Sequence, residues 1–289
     1  MPTLVRKKTT APMTKAVPKI NDVSSLIQPV SARELILAAL FYGRSSTGKT
    51  TVSSTFPKPI LHLDIREKGT DSIADVKGID TISVDHWDTL EDVYWFLKKN
   101  PKYKTVVLDA ATQLQDLAID KCREEENNTG DDQVSKRMWG MVSGKMKTWI
   151  INYRDLIESG INVVFLAHDR TSEGEDGEDG ELTPSVGPRL MPSVASVLTA
   201  GVTLTGNTFI RESMLKLPGG KLKRDVQYCM RLGPHAYYNT KVRMPKGSYV
   251  PEYLEDPTYE KLIQIMKGEF KTPVAEAVPE TKPTLKRRV

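Results

Sequence analysis

The sequence lacks the features that mark membrane, secreted and zinc-binding proteins. Only two cysteines occur in 289 residues, Cys122 and Cys229, and their wide separation suggests neither a disulfide framework nor a zinc site. No apolar run approaches the roughly 20 residues of a membrane span, and the N-terminus has no apolar signal core. We therefore expect a soluble, cytoplasmic protein with reduced thiols and no membrane partner.

The positive charge of the chain is concentrated at its two ends. Residues 1–31 carry +4 and residues 272–289 carry +2, so the net charge of +4 leaves −2 for residues 32–271. Both ends are rich in Pro, Thr, Val and Lys without periodicity, which is typical of disordered arms. A basic arm can add affinity for a polyanion such as DNA, although solvated tails without a function are as common. The sequence thus predicts one domain, residues 32–271, between two disordered basic arms.

Five apolar, β-branched segments alternate with helical patterns in the predicted domain. They cover residues 35–42, 60–64, 81–84, 105–109 and 162–167. Such alternation is typical of a parallel sheet that helices cover on both faces. The expected fold class is therefore α/β, with a mostly parallel central sheet.

The remaining parts of the expected fold are two helices between the strands and, after residue 184, a set of short strands followed by a helix. Residues 88–100 carry an apolar stripe with Asp88 as N-cap, formed by Leu90, Val93, Phe96 and Leu97. Residues 133–158 form a longer helical stretch, whose Met and Trp side chains we interpret as core packing rather than a base-stacking platform. After residue 184 we expect short antiparallel strands at 196–206, 226–233 and 236–245, then a helix at 256–270.

The stretch GRSSTGKTT, residues 43–51, directly follows the first apolar segment. Its spacing Gly43-x-x-x-x-Gly48-Lys49-Thr50 matches the phosphate-binding loop, in the strand–loop–helix setting that this motif requires. Backbone N–H groups of such a loop surround phosphate oxygens, and the following helix adds its positive end. Lys49 would reach the β- and γ-phosphates of ATP, and Thr50 would ligate Mg²⁺. The expected binding residues are Gly43, Arg44, Ser45, Ser46, Thr47, Gly48, Lys49, Thr50 and Thr51.

A phosphate loop alone only binds, so hydrolysis needs further acidic groups. In KTVVLDAAT, a buried strand would deliver Asp109 to the carboxyl edge of the sheet, where ligands of α/β proteins bind. We predict that Asp109 holds Mg²⁺ through water, the alternative being a turn aspartate that ends the strand. In LHLDIREKG, either Asp64 or Glu67 could activate water, and we choose Glu67. A surface salt-bridging glutamate is the alternative there.

His168 stands just beyond the last apolar segment, in NVVFLAHDR. A neutral imidazole at this edge can hydrogen-bond the γ-phosphate or the attacking water, and can transmit the nucleotide state to the next loop. A structural histidine is the equally common alternative.

The segments GRSSTGKTT, LDIREKG, VVLDAAT, NVVFLAHDR and NTKVRMP, in this order, resemble those of the RecA-like recombinase ATPases. The resemblance is strongest to small phage ATPases of that class, which are linked to single-strand annealing and recombination. It covers about residues 33–268, including GDDQVSKRMWGMVSGKMKTWI between the Asp109 and His168 strands. It implies a RecA-like P-loop NTPase core and an ATPase, stimulated by DNA, that acts on single-stranded DNA in recombination, annealing or replication inside a host cell.

The resemblance also assigns roles to particular residues. It places the catalytic glutamate after the second strand, which supports Glu67, although this chain has one residue more than the usual Asp-x-Glu spacing from Asp64. It makes His168 a sensor. Lys241 and Arg243 match two basic groups that reach the nucleotide of a neighbouring subunit, which implies a homo-oligomer, either ring or filament, with nucleotide at its interfaces. A charged edge strand is the alternative for this pair.

One loop departs from the family pattern. Where a DNA-contacting loop is expected, residues 173–181 carry six carboxylates and no base, so repulsion of phosphates should dominate. We expect a disordered insertion, with an autoinhibitory DNA mimic or a site for a basic partner as alternatives. Contact with single-stranded DNA is then predicted for the two arms and for Arg123, Lys136, Arg137, Lys145, Lys147 and Arg189. A single-strand-binding protein is a further expected partner.

Two other functions are compatible with a phosphate loop. A helicase loader or similar nucleotide switch would bind a replication protein rather than DNA. A small-molecule kinase is disfavoured, because no acceptor-binding lid with clustered arginines follows the loop.

Overall fold

The computed structural model describes residues 35–100, 102–126, 134–172, 184–216, 220 and 222–271. The two basic arms and the acidic segment 173–181, all predicted to be disordered, lie outside the described residues. No helix in the described ranges is long and apolar enough to cross a membrane.

Eleven strands are described, and nine of them form one sheet. Numbered along the chain, they are β1 (Ala38–Tyr42), β2 (Ile60–Asp64), β3 (Ile79–Ser83), β4 (Thr105–Asp109), β5 (Asn162–Ala167), β6 (Asp169–Ser172), β7 (Ser185–Pro188), β8 (Leu204–Lys216), β9 (Leu222–Arg231), β10 (Lys241–Val242) and β11 (Tyr253–Glu255). The sheet order is β11-β9-β8-β1-β5-β4-β2-β3, with β10 beside β8, while β6 and β7 form a separate hairpin.

The sheet has a parallel half and an antiparallel half. The strands β3, β2, β4, β5, β1 and β8 pair in parallel, whereas β9, β10 and β11 pair antiparallel. This arrangement confirms the predicted α/β fold class with C-terminal antiparallel strands. The central strands β1, β4 and β5 are buried along their whole length, as expected for strands that are covered on both faces.

The predicted strand boundaries are correct for β2, β4 and β5 and shifted for the other two. The strand β1 begins at Ala38 rather than at residue 35. The strand β3 covers Ile79–Ser83 instead of residues 81–84. Its position follows from its pairing, because Ile79 lies opposite Ile60 and the Ile60 N–H donates to the Gly78 carbonyl at 3.0 Å.

Within the described ranges, six α-helices connect and cover the strands. They are α1 (Lys49–Ser53), α2 (Trp87–Lys99), α3 (Leu114–Glu125), α4 (Lys136–Arg154), α5 (Pro192–Gly201) and α6 (Tyr259–Lys267). The helices predicted at 88–100, 133–158 and 256–270 correspond to α2, α4 and α6. Two details of the prediction for α2 were wrong. His86 rather than Asp88 is the N-cap, and Phe96, which was assigned to the apolar stripe, is 46% exposed. The helix starts two residues earlier than an N-cap at Asp88 implies, because the buried Trp87 anchors its first turn, where the indole N–H donates to Glu91 at 2.8 Å.

The segment 196–206, predicted as a strand, is largely helical. The helix α5 occupies Pro192–Gly201, and β8 begins only at Leu204. The β-branched residues of this segment favour a strand locally, but Val194 and Leu198 share one helical face and are both buried in the main core. Proline at the helix start supplies a favourable first residue. Tertiary packing therefore overrides the local preference.

The register of the parallel strands brings four strand ends together. Tyr42 pairs with Ala167, Asp109 pairs with Leu166, and Asp64 pairs with Asp109. The residues that follow β1, β2, β4 and β5 therefore lie side by side at the carboxyl edge of the sheet, where binding sites of α/β proteins form.

Candidate nucleotide-binding site

The loop between β1 and α1 is shaped by two glycines. A Cβ at Gly43 would lie 2.3 Å from the carbonyl oxygen of Thr208 on β8, so no larger residue fits there. Gly48 has φ of 86° and caps α1 in the left-handed region, which glycine adopts without strain. The loop is thus pressed against β8 on one side and turned sharply into α1, the geometry that exposes backbone N–H groups to an anion.

Lys49 lies at the centre of this loop. Its ammonium donates to the carbonyls of Gly43 at 3.0 Å and Arg44 at 2.7 Å. Burial lowers the pKa of Lys49, and the nearby Asp109 carboxylate acts in the opposite direction. A phosphate oxygen entering the loop can replace these carbonyls as hydrogen-bond acceptor, because the ammonium carries three donors.

Thr50 and Asp109 form the predicted magnesium pair. The Thr50 hydroxyl donates to Asp109 Oδ2 at 3.0 Å, across 59 residues of sequence. Within the described ranges, no group of three or more His, Cys, Asp or Glu residues could hold a metal alone. Mg²⁺ usually keeps several waters and takes one or two carboxylates together with phosphate oxygens. A hydroxyl and a carboxylate beside a phosphate loop therefore fit this ion.

A buried histidine supports Asp109 from below. His62 in β2 is 1% exposed, and its Nε2 lies 3.3 Å from Asp109 Oδ2. Its other ring nitrogen, Nδ1, has no hydrogen-bond partner among the described residues. The contact restricts the rotation of the Asp109 carboxylate, as hydrogen-bond partners of metal ligands commonly do. Sequence reasoning missed His62, although a histidine inside an apolar strand was the available signal.

Glu67 and His168 contact each other in the cavity that the phosphate loop also lines. Glu67 Oε1 lies 2.9 Å from His168 Nε2, and the same oxygen accepts from the Gln113 amide at 3.1 Å. Both Glu67 and His168 are about a quarter exposed, so each remains accessible from the cavity. The backbone N–H of His168 donates to the Thr112 hydroxyl at 3.0 Å. Gln113 and Thr112 thus hold the two predicted catalytic groups in one place.

Asp64 has a different task from Glu67. Its Oδ1 accepts from the backbone N–H groups of Glu67 at 3.1 Å and Lys68 at 2.8 Å. These bonds close a tight turn in which Arg66 and Lys68 both have positive φ. The Asp64 carboxylate is therefore engaged in holding the turn that presents Glu67, which favours Glu67 as the group that faces a water.

These residues surround a cavity of about 460 Å³. The cavity is lined by Ser45, Ser46, Gly48, Lys49, Thr50, Thr51, Glu67, Lys68, Gly69, Asp71, Ser72, Asp109, His168 and Tyr228. Of the predicted phosphate-binding residues, Gly43, Arg44 and Thr47 lie outside this lining. The Thr47 hydroxyl lies 2.7 Å from the Thr208 hydroxyl and donates to the Arg44 carbonyl at 2.8 Å. Thr47 therefore stabilises the loop instead of lining the cavity.

Tyr228 is a lining residue that sequence reasoning missed. It belongs to β9, and its ring would lie 3.0 Å from a Cβ added at Gly48. The side chain is 44% exposed, so a ring face is open to the cavity. Its sequence signal was weak, because the strand pattern of VQYCMRLG explains a tyrosine without any ligand.

Lys241 and Arg243 lie away from this cavity, near the C-terminal end of α5. The Lys241 ammonium donates to the Thr199 and Ala200 carbonyls, and Arg243 donates to the Ala200 carbonyl at 3.1 Å. Burial lowers the pKa of Lys241, and the Arg243 charge acts in the same direction. Cations at this position complement the helix dipole. The predicted role at a neighbouring subunit stays a prediction.

Two of the residues predicted to contact DNA form ion pairs with nearby glutamates. Arg137 lies 3.5 Å from Glu126, and Lys145 lies 2.9 Å from Glu125, so both charges are paired with carboxylates. Arg189 follows β7 and lines a second cavity, described below.

A family model described as an AAA domain matches residues 37–244, which is more than half of the 289-residue chain. The match spans the phosphate loop, Glu67, Asp109 and His168 and ends just after Arg243. No curated protein matches the chain.

Proposed function

The chain belongs to the AAA domain family, and from this premise we propose that it is a RecA-like ATPase that acts with single-stranded DNA. Family membership indicates an ATPase-type nucleotide-binding domain, and ATPases of this kind generally use ATP and Mg²⁺. The RecA-like character, the action in recombination, annealing or replication, and the origin in a phage are parts of this proposal that rest on the resemblance of the five segments.

The proposal that the chain hydrolyses ATP depends on one observation: two pairs of polar side chains line the same cavity. The Thr50–Asp109 pair offers oxygen ligands, and the Glu67–His168 pair in the same cavity offers a carboxylate and an imidazole. Hydrolysis of a phosphoryl group needs both a charge-neutralising side and a group that orients water. A protein that only bound nucleotide would not need the second pair.

Each residue of the nucleotide site then has a defined role in the proposed reaction. Backbone N–H groups of the loop and the Lys49 ammonium would bind phosphate oxygens and stabilise the charge that develops on them. Thr50 and Asp109 would hold Mg²⁺, which supplies further charge neutralisation when bound. Glu67 would accept a hydrogen bond from the attacking water, with His168 beside it. The open ring of Tyr228 would offer a stacking surface to the base.

The proposed assembly is a homo-oligomer, ring or filament, in which Lys241 and Arg243 approach the nucleotide of a neighbour. Their position supports this assignment in one respect, because the half-buried Lys241 and the exposed Arg243 both have donors to spare beyond the α5 carbonyls. Such groups supplied from a neighbour accelerate phosphoryl transfer in related enzymes.

The test is phosphate release from ATP by the full chain, with and without Mg²⁺ and with and without oligo(dT). We expect release that requires Mg²⁺ and rises severalfold with the single strand but not with duplex DNA, while Lys49→Ala serves as the control for contaminating ATPases. Absence of hydrolysis would overturn the ATPase assignment. Hydrolysis that ignores oligo(dT) and responds only to a replication protein would overturn the DNA part and support a nucleotide-switch loader.

A further inference from the structure

A second cavity, of about 380 Å³, is lined in part by residues that form hydrogen bonds with residues lining the nucleotide site. Its wall includes Thr112, Gln113, Trp139, Arg170 and Arg189. The two arginines lie diagonally across one hairpin, since Arg170 in β6 pairs with Gly187 of β7 and Arg189 follows two residues after Gly187. We call this the arginine–tryptophan cavity.

Three hydrogen bonds join the arginine–tryptophan cavity to the nucleotide site. The Gln113 amide donates to Glu67 Oε1 at 3.1 Å, and the Thr112 hydroxyl accepts from the His168 N–H at 3.0 Å. The Arg189 N–H donates to the His168 carbonyl at 2.8 Å. Every one of these bonds has a cavity-lining residue at one end and a predicted catalytic residue at the other. A ligand that displaces the lining would therefore change the surroundings of Glu67 and His168.

The lining has the chemistry of a binding site for an anion that carries a flat ring. Arg170 and Arg189 are exposed, and in the described part of the chain neither guanidinium forms an ion pair. Trp139 is half-buried, packing against the core on one side and lining the cavity on the other. One carboxylate, Asp116, opposes the two cations, so the charged groups that line the cavity carry a net charge of about +1.

We propose that the arginine–tryptophan cavity binds one nucleotide unit of a single-stranded nucleic acid. Arg170 and Arg189 would hold a backbone phosphate, and Trp139 would stack on a base, the combination that single-strand-binding grooves use. An acidic peptide would satisfy the arginines but would leave the Trp139 ring without a stacking partner. Gln113, as a positioning residue, would then report occupancy to Glu67. This inference rests on the proposed action with single-stranded DNA and names its site.

The binding test uses fluorescent oligo(dT) and the full chain over a range of salt concentrations. We expect Arg170→Ala and Arg189→Ala each to reduce the magnitude of the slope of log affinity against log salt by about 0.7, as loss of one phosphate contact does. Trp139→Leu should weaken binding by about 5- to 100-fold, and Trp139→Phe by less, because a ring remains. The matched control is Lys104→Ala, an exposed cation just before β4, at the opposite edge of the sheet.

The arms of this test separate competing explanations. Unchanged salt slopes in both arginine variants, with a folded protein by circular dichroism, would overturn the inference. The inference would also be overturned if an acidic peptide competed with oligo(dT) equally well for the wild type and for Trp139→Leu. If wild-type ATPase ignores oligo(dT), the proposed function fails; if wild type responds and the arginine variants respond equally, only the cavity assignment fails.

The coupling test uses Gln113→Met, which keeps the side-chain length and removes the amide donor to Glu67. We expect oligo(dT) to bind this variant, while the ratio of ATPase rates with and without oligo(dT) falls towards one. Gln113→Asn, which keeps an amide, should restore part of the ratio if the donor is the cause. A wild-type ratio in Gln113→Met would overturn the positioning role, because the amide would then carry no signal.

Discussion

The carboxyl edge of the parallel strands and the antiparallel strand β10 both present charged residues, but they differ in what those residues contact. At the carboxyl edge, Asp109 contacts Thr50 and His62, and Glu67 contacts His168, so both of these acidic side chains have side-chain partners. Lys241 in β10 and Arg243, which directly follows β10, contact main-chain carbonyls of α5. The first arrangement builds a site within one chain. The second leaves cations whose remaining donors point to no acidic partner among the described residues.

The most demanding test of this difference asks whether β10 completes the site of a neighbour. We expect Arg243→Ala to bind ATP normally but to lose about 10³- to 10⁵-fold in hydrolysis rate, the range for an arginine supplied in trans. Mixing it with Lys49→Ala should restore activity above the average of the two, because one interface can then pair an intact loop with an intact arginine. Phosphate release from mixed samples, with light scattering to confirm subunit exchange, measures this.

A purely structural role for Arg243 has a different signature. Loss of a cation at the end of α5 would lower the free energy of unfolding by up to about 1 kcal/mol. If mixed samples show only averaged activity while the melting temperature falls, the trans role is wrong and β10 is a helix-capping strand.

The next test compares two carboxylates on the turn after β2. Glu67→Gln should bind ATP and lose about 10²- to 10⁴-fold in turnover, because a neutral amide cannot act as a base for water. Asp64→Asn should be milder, since its task is to accept two backbone N–H bonds. Steady-state ATPase rates rank the two variants, and the reverse ranking would transfer the catalytic role to Asp64.

Removal of the loop cation should have a comparable but smaller effect. We expect Lys49→Ala to lose about 10²- to 10³-fold in rate, as when one electrostatic contact to developing charge is removed. Circular dichroism should show an unchanged fold, and Lys104→Ala should hydrolyse ATP like the wild type. Activity of the Lys49 variant within threefold of wild type would contradict the hydrolytic site.

The smallest expected effect concerns the buried histidine below Asp109. His62→Leu should raise the Mg²⁺ concentration for half-maximal activity by about 10- to 100-fold, because partners of metal ligands contribute this much to metal affinity. His62→Gln keeps a donor and should be closer to wild type. Binding of a fluorescent ATP analogue, titrated with Mg²⁺, gives a second readout. An unchanged Mg²⁺ dependence in a folded His62→Leu protein would reduce His62 to a packing role.

Several parts of the fold were predictable because their signals are local. The boundaries of β2, β4 and β5 were correct, since apolar runs that end at polar residues mark buried strands directly. The phosphate loop was recognisable because its function depends on the backbone of consecutive residues. The segment 196–206 misled the prediction, because β-branched residues favour strands in isolation while burial of Val194 and Leu198 against the core requires a helix.

The sequence by itself determined the carboxyl ends of β1, β2, β4 and β5, the loop spacing and the choice of Lys49, Thr50, Glu67, Asp109 and His168 as candidates. Only the tertiary structure decided which side chains meet: Gln113 reaches Glu67 across 46 residues, and His168 reaches the same carboxylate across 101. It also placed His62 under Asp109 and Tyr228 against Gly48. The physical reason is that these contacts depend on the order and register of the strands in the sheet. That order is set by the joint burial of residues far apart in the chain, which no local pattern encodes.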